Sequence, residues 1–75
     1  MFKLVLIDDD AEVLAINQKY LTGAGFTVYT AISPLEGVLS IRKNLPDCIL
    51  LDVMLPEADG YRVCRYIRSF SSVPI

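Results

Sequence analysis

Histidine and tryptophan are both absent from this 75-residue chain, and cysteine occurs only at positions 48 and 64. Without histidine, and without a CxxC spacing, Cys48 and Cys64 lack the company that a zinc or disulfide site needs, so both are expected to be core thiols. Long apolar runs are missing as well. The first run after Met1 is cut off by Asp8, which leaves no signal peptide and no span of membrane length, and a cytoplasmic chain is expected. No basic stripe is present either. A net charge of −2 and a pI near 4.8 argue against nonspecific binding to nucleic acid, which depends on neutralising phosphates. No glycine-rich loop follows the first apolar run, and that counts against a dinucleotide site.

What is present bounds the answer closely. The length allows one small domain, with no repeat and no low-complexity tract. At 53% hydrophobic residues and a mean hydropathy of +0.45, the chain is too apolar to be disordered. It is also apolar for so small a protein, so some of this surface is expected to pack against sequence outside the chain. Charge is uneven: acid gathers at 8–12 and 57–59, and base at Arg62, Arg65 and Arg68, with Arg42 and Lys43 as a smaller pair.

The order of elements reads as βαβαβα. Residues 3–7 are a buried parallel strand, too short and too branched for a helix. Asp10 is a helix N-cap, and Val13, Leu14, Ile16, Tyr20 and Leu21 recur at helical spacing until Gly23 and Gly25. Residues 26–30 form a second strand. Ser33-Pro34 opens a helix to about Lys43 that buries Leu35, Val38, Leu39 and Ile41, with Gly37 inside it at a cost of about 1 kcal/mol relative to alanine. Residues 48–52 form a third strand, 53–59 a loop with Pro56, and Asp59-Gly60 opens a helix to about Arg68 with Val63, Cys64 and Ile67 inward. Val73-Pro74-Ile75 reads as the start of a fourth strand, after a polar linker over 69–72. Right-handed crossovers are expected at each parallel step.

Two of these strands end in acid: Leu4-Val5-Leu6-Ile7 runs into Asp8-Asp9-Asp10, and Cys48-Ile49-Leu50-Leu51 runs into Asp52. As neighbours in a parallel sheet they would bring carboxylates together at its carboxyl edge, where open α/β sheets bind ligands. Carboxylates crowded there repel one another unless a cation sits between them, and their hard oxygens suit Mg²⁺. Such a site fits phosphoryl transfer: Asp52 is the candidate acceptor, Asp8 and Asp9 the candidate metal side, and the backbone carbonyl of Met54 a further ligand. The plainer roles of cap and turn are assigned to Asp10 and Asp59.

The segments Leu4 to Asp10, Pro46 to Pro56 and Asp59-Gly60-Tyr61, with their spacing, resemble the amino-terminal part of a response-regulator receiver domain of two-component signalling. The run from Pro46 through Gly60 carries most of the specificity. The resemblance implies a flavodoxin-like (CheY-like) doubly wound parallel sheet of order 2-1-3-4-5, here truncated to βαβαβα plus the start of a fourth strand, with residues 1–75 as one incomplete receiver domain. It implies that Asp52 takes a phosphoryl group from the phosphohistidine of a sensor histidine kinase or phosphotransfer protein. Asp9 would bind Mg²⁺ directly, Asp8 directly or through water, and Met54 through its carbonyl. Pro56 and Gly60 would shape the loop. Receivers catalyse their own phosphorylation and usually their own dephosphorylation. Whether this chain does so stays open, because the family's later-strand Thr or Ser and Lys are not in it, nor is the face that usually carries output.

Further expectations follow from that truncation. The third strand is left as an open edge that invites self-association. A signalling-inactive fragment serving as a structural or self-associating module is the alternative reading. An aspartate-nucleophile phosphatase is the weaker one, since it leaves Asp52 unexplained. The motif lies near Met1, so an N-terminal receiver is expected, with DNA contacted only through an output domain outside this chain. Ala15, Asn17 and Gln18 of the first helix are candidate kinase-docking positions.

Overall fold

The computed structural model describes residues 1–52 and 60–75. Three strands and three helices alternate: β1 (Lys3–Ile7), α1 (Ala11–Gly23), β2 (Thr27–Ala31), α2 (Pro34–Asn44), β3 (Cys48–Leu51) and α3 (Gly60–Arg68). The strands form one sheet of order β2-β1-β3, parallel throughout. This is the doubly wound, CheY-like arrangement. The chain steps one way from β1 to β2 and the other way from β2 to β3. Crossovers of a single hand then place their helices on opposite faces, which is the packing found.

β1 is central because both of its faces are apolar. Val5 and Ile7 join Ala31, Ile41, Ile49, Val63 and Ile67 in a buried cluster on the side of α2 and α3. Leu4 and Leu6, of opposite parity, are buried on the other side, where Leu14 of α1 packs. Register follows from this double burial, with Val5 opposite Tyr29 and Ile49, and Ile7 opposite Ala31 and Leu51. A slip of one residue would exchange the two faces of every strand.

The helix boundaries have local causes. The Asp10 carboxylate accepts from the Glu12 and Val13 N–H groups, and the Ser33 hydroxyl accepts from the Glu36 N–H ahead of Pro34. α1 closes through Ala24 and into Gly25, whose φ of +101° suits a residue without a Cβ. α2 ends differently, on Leu45 at φ 50°, a left-handed position seldom taken by leucine, with Pro46 preventing continuation.

Burial departs from the periodicity reading on both of the first two helices. In α1 only Leu14 is fully buried, while Val13, Ile16 and Tyr20 are exposed. The row through 14, 18 and 21 lies on the sheet, and the row through 13, 16 and 20 looks sideways, where no described element covers it. In α2, Ile41 and Gly37 are buried and Val38 is half-buried, but Leu35 and Leu39 point out. Cys48 and Cys64 are free thiols and only half-buried. No strand forms over 73–75. Among the described residues the expected pairing is reduced to one backbone bond, from Ile49 N–H to the Pro74 carbonyl at 2.8 Å.

Gly37 has a tertiary cause as well as a helical cost. A Cβ there would lie 2.7 Å from Ile7 Cγ1 and closer still to Ile7 Cδ1, and Ile7 is 1% exposed and cannot swing away. Overpacking of this kind costs about 1–3 kcal/mol, against a helix-propensity gain of about 1 kcal/mol. Gly37→Ala should therefore lower the urea midpoint, and adding Ile7→Val should recover part of the loss. An unchanged midpoint in the single variant would mean that α2 moves aside freely.

Candidate functional site

The sheet edge is built from backbone bonds that continue past the strands. Asp8 N–H donates to the Ala31 carbonyl at 3.1 Å, which carries the β1–β2 ladder one residue beyond Ile7. Asp52 N–H donates to the Ile7 carbonyl at 3.0 Å, which does the same for β1–β3. Asp8 and Asp52 thus leave adjacent strands at the same level. This is also the point where strand order reverses direction about β1, the usual crevice for a ligand in such sheets.

Asp8, Asp9 and Asp52 each place a carboxylate oxygen within 4.8 Å of the others. Asp8 and Asp52 are half-buried and Asp9 is exposed. Asp8 Oδ1 also accepts from Asp10 N–H at 3.0 Å, which fixes the turn between β1 and α1. Among the described residues no lysine or arginine pairs with Asp8 or Asp9. Like charges about 4 Å apart repel by ~1 kcal/mol in water and ~4 kcal/mol near a protein surface. A cation bound between them would turn that repulsion into attraction. The donor set is all oxygen, which suits a hard divalent ion and not a soft one. The cluster fits a metal site on its chemistry.

The other residues named from the sequence fall as follows. Asp10 is a cap, as expected, and its side chain is committed to the first turn of α1. Met54, Pro56 and Asp59 lie outside the described residues. Gly60 is buried at the start of α3. Ala15, Asn17 and Gln18 are exposed on α1. Asn17 has a further position that sequence reading missed: with Leu6, Asp8, Leu50 and Asp52 it lines a hollow of about 390 Å³ beside the carboxylates. The available signal was its place three residues after Leu14, beside the helix face that meets the sheet.

The model of the response regulator receiver domain matches residues 4–75. The chain belongs to the response regulator receiver family. Its family-level function is that of a domain phosphorylated within an aspartate cluster. Among relatives, the probable transcriptional regulator ycf27 of Pyropia yezoensis is 42% identical over 73 residues, which cover 97% of this chain and 30% of that protein. The transcriptional regulatory protein AfsQ1 of Streptomyces coelicolor is 44% identical over 75 residues, covering 100% of this chain and 33% of that protein. The chain therefore spans about a third of the length of the curated relatives it matches. A two-component response regulator from Clostridium difficile superposes with a TM-score of 0.95 at 28% identity, over 100% of this chain and 62% of the solved one.

The receiver's adjacent aspartates separate by experiment. Asp9→Ala should weaken binding of a divalent cation roughly tenfold or more, since charge count sets affinity at oxygen sites, and should not destabilise the cation-free chain. Asp10→Ala should do the reverse, costing about 1 kcal/mol of stability through the lost cap while leaving cation affinity nearly unchanged. Titration calorimetry and urea unfolding read the two effects. Equal loss of affinity in both variants would refute the division of roles.

Proposed function

We propose that this receiver chain takes a phosphoryl group onto Asp52 with Mg²⁺ held by Asp8, Asp9 and the Asp52 carboxylate, and that residues 1–75 are one incomplete receiver domain. The observation that carries the reading is the gathering of the Asp8, Asp9 and Asp52 oxygens within 4.8 Å at the sheet's switch point. The donor is a phosphohistidine of a sensor histidine kinase or phosphotransfer protein, in the cytoplasm. An Asp52 carboxylate oxygen forms the new bond to phosphorus as the phosphorus–nitrogen bond of the donor breaks, and the imidazole leaves with the electron pair. When bound, the cation supplies positive charge where phosphoryl oxygens and carboxylates meet. Asp9, the more exposed acid, is the direct ligand on the β1 side. Asp8 is held in place by its bond from Asp10 N–H and ligates directly or through water. The Met54 carbonyl is the remaining protein ligand in this reading.

Names of relatives that include transcriptional regulation support a DNA-binding output outside this chain in a longer protein. A second reading, a signalling-inactive module that pairs through its sheet edge, is favoured by β3: among the described residues its outer side meets a single backbone bond, to Pro74, and Leu50 stays 46% exposed.

Intact mass after incubation with acetyl phosphate and Mg²⁺ separates the two. A phosphoryl adduct in the parent chain, absent in Asp52→Asn, is the expected result. No adduct in a chain shown by circular dichroism to be folded would overturn the acceptor reading. Sedimentation over a concentration series should show association that Leu50→Lys weakens. A monomer at every concentration would remove the pairing module.

A further inference from the structure

We propose that the seam between α2 and α3 is a docking groove for an acidic amphipathic helix of a partner protein. Two hollows are lined by residues of α2, α3 and the segments that follow them. One, of about 530 Å³, is lined by Pro34, Leu35, Val38, Arg62, Val63 and Tyr66. The next, of about 320 Å³, includes Ile41, Arg42, Leu45 and Phe70 in its lining. Tyr66 and Phe70 join them through an edge-to-face contact at 5.8 Å. The floor is the outer surface of the core, where Val38 and Phe70 pack against the buried Ile41, Val63 and Ile67. The walls are apolar yet open to water, with Leu35 70% and Tyr66 54% exposed. Neighbouring apolar hollows with charged residues at their rim are a form that interaction sites take on small proteins.

Charge selects the occupant. α2 and α3 carry Arg42, Lys43, Arg62, Arg65 and Arg68 against the single acid Glu36. That is five of the seven basic residues, in a chain whose net charge is −2. Among the described residues none of Arg42, Arg62 and Arg65 has an ion-pair partner, and Arg42 lies over the Phe70 ring at 4.0 Å instead. Base thus gathers on the α2–α3 side, and acid at the carboxyl edge of the sheet. A wholly polar polyanion would leave the Leu35–Tyr66 trough unfilled, so the apolar floor favours a protein helix over nucleic acid. Arg62 and Tyr66 lie one helical turn apart on α3, and Phe70 follows just beyond its end. A fitting helix presents apolar side chains at i, i+4 and i+7, with carboxylates flanking them to meet Arg62 and Arg42. The inference does not depend on whether Asp52 accepts phosphate.

The test uses a fluorescein-labelled helical peptide with Leu at i, i+4 and i+7 and flanking Glu, a partner peptide with each Glu replaced by Lys, and a scrambled control. Anisotropy against the full chain should show saturable binding of the Glu peptide only. Arg62→Glu and Leu35→Asp should each weaken it roughly tenfold or more, and added salt should weaken it further. Lys19→Glu, on exposed α1, should leave it unchanged. Arg62→Glu should also gain affinity for the Lys peptide, a reversal that a misfolded variant would not give. Absence of saturable binding, or binding that ignores both groove variants, overturns the proposal. Self-association of the chain that is lost in Leu35→Asp would assign the groove to a second copy and overturn it equally.

Discussion

Everything at the carboxyl edge depends on the register between β1 and β3. Ile7 stands opposite Leu51, and the Ile7 carbonyl accepts from Asp52 N–H. That bond holds the third carboxylate beside the first two. The register is in turn held by burial, because Val5 and Ile49 pair directly and both are fully buried. Hydrophobic packing in the middle of the sheet thus sets the geometry of a polar site at its end. Burial of a branched side chain stabilises by about 1.5–3 kcal/mol, comparable with the repulsion among neighbouring acids that the site must withstand.

The division of acid and base follows from the same topology. Strand order reverses about β1, so the crevice opens at the ends of β1 and β3, and acid collects there. α2 and α3 share the opposite side from α1 and hold most of the base. An acidic edge and a basic helical face can then coexist on a chain of 75 residues, because one lies at the ends of the strands and the other on a face of the sheet. Gly37 is a point of close contact between α2 and β1. Its missing side chain lets α2 sit directly on Ile7, the residue whose carbonyl anchors Asp52.

Much of this was legible in the residue order. Alternating segment types, branched runs at 3–7 and 48–51, and Ser33-Pro34 located every strand and helix to within a residue or two at each end. Asp10 was readable as a cap because an acid directly before a helical repeat has a local role. The helical faces were less legible. Leu35, Leu39, Ile16 and Tyr20 are apolar at helical spacing, yet all four are exposed. Periodicity says that a helix has an apolar side, not how much of that side its neighbours can cover. With three strands in the sheet, each helix finds room to bury only one row of side chains.

The sequence by itself determined the order of the elements, the caps and the chemical character of the strand ends, since each is set by contacts a few residues apart. It also carried the resemblance to the receiver family, through the specific run from Pro46 through Gly60. Tertiary structure alone decided that Asp8, Asp9 and Asp52 meet, that Asn17 shares their hollow, and that Leu35, Arg62 and Tyr66 line another. Those facts join residues tens of positions apart. They rest on strand register and on which face each crossover helix takes, and both are fixed only when the whole core packs at once.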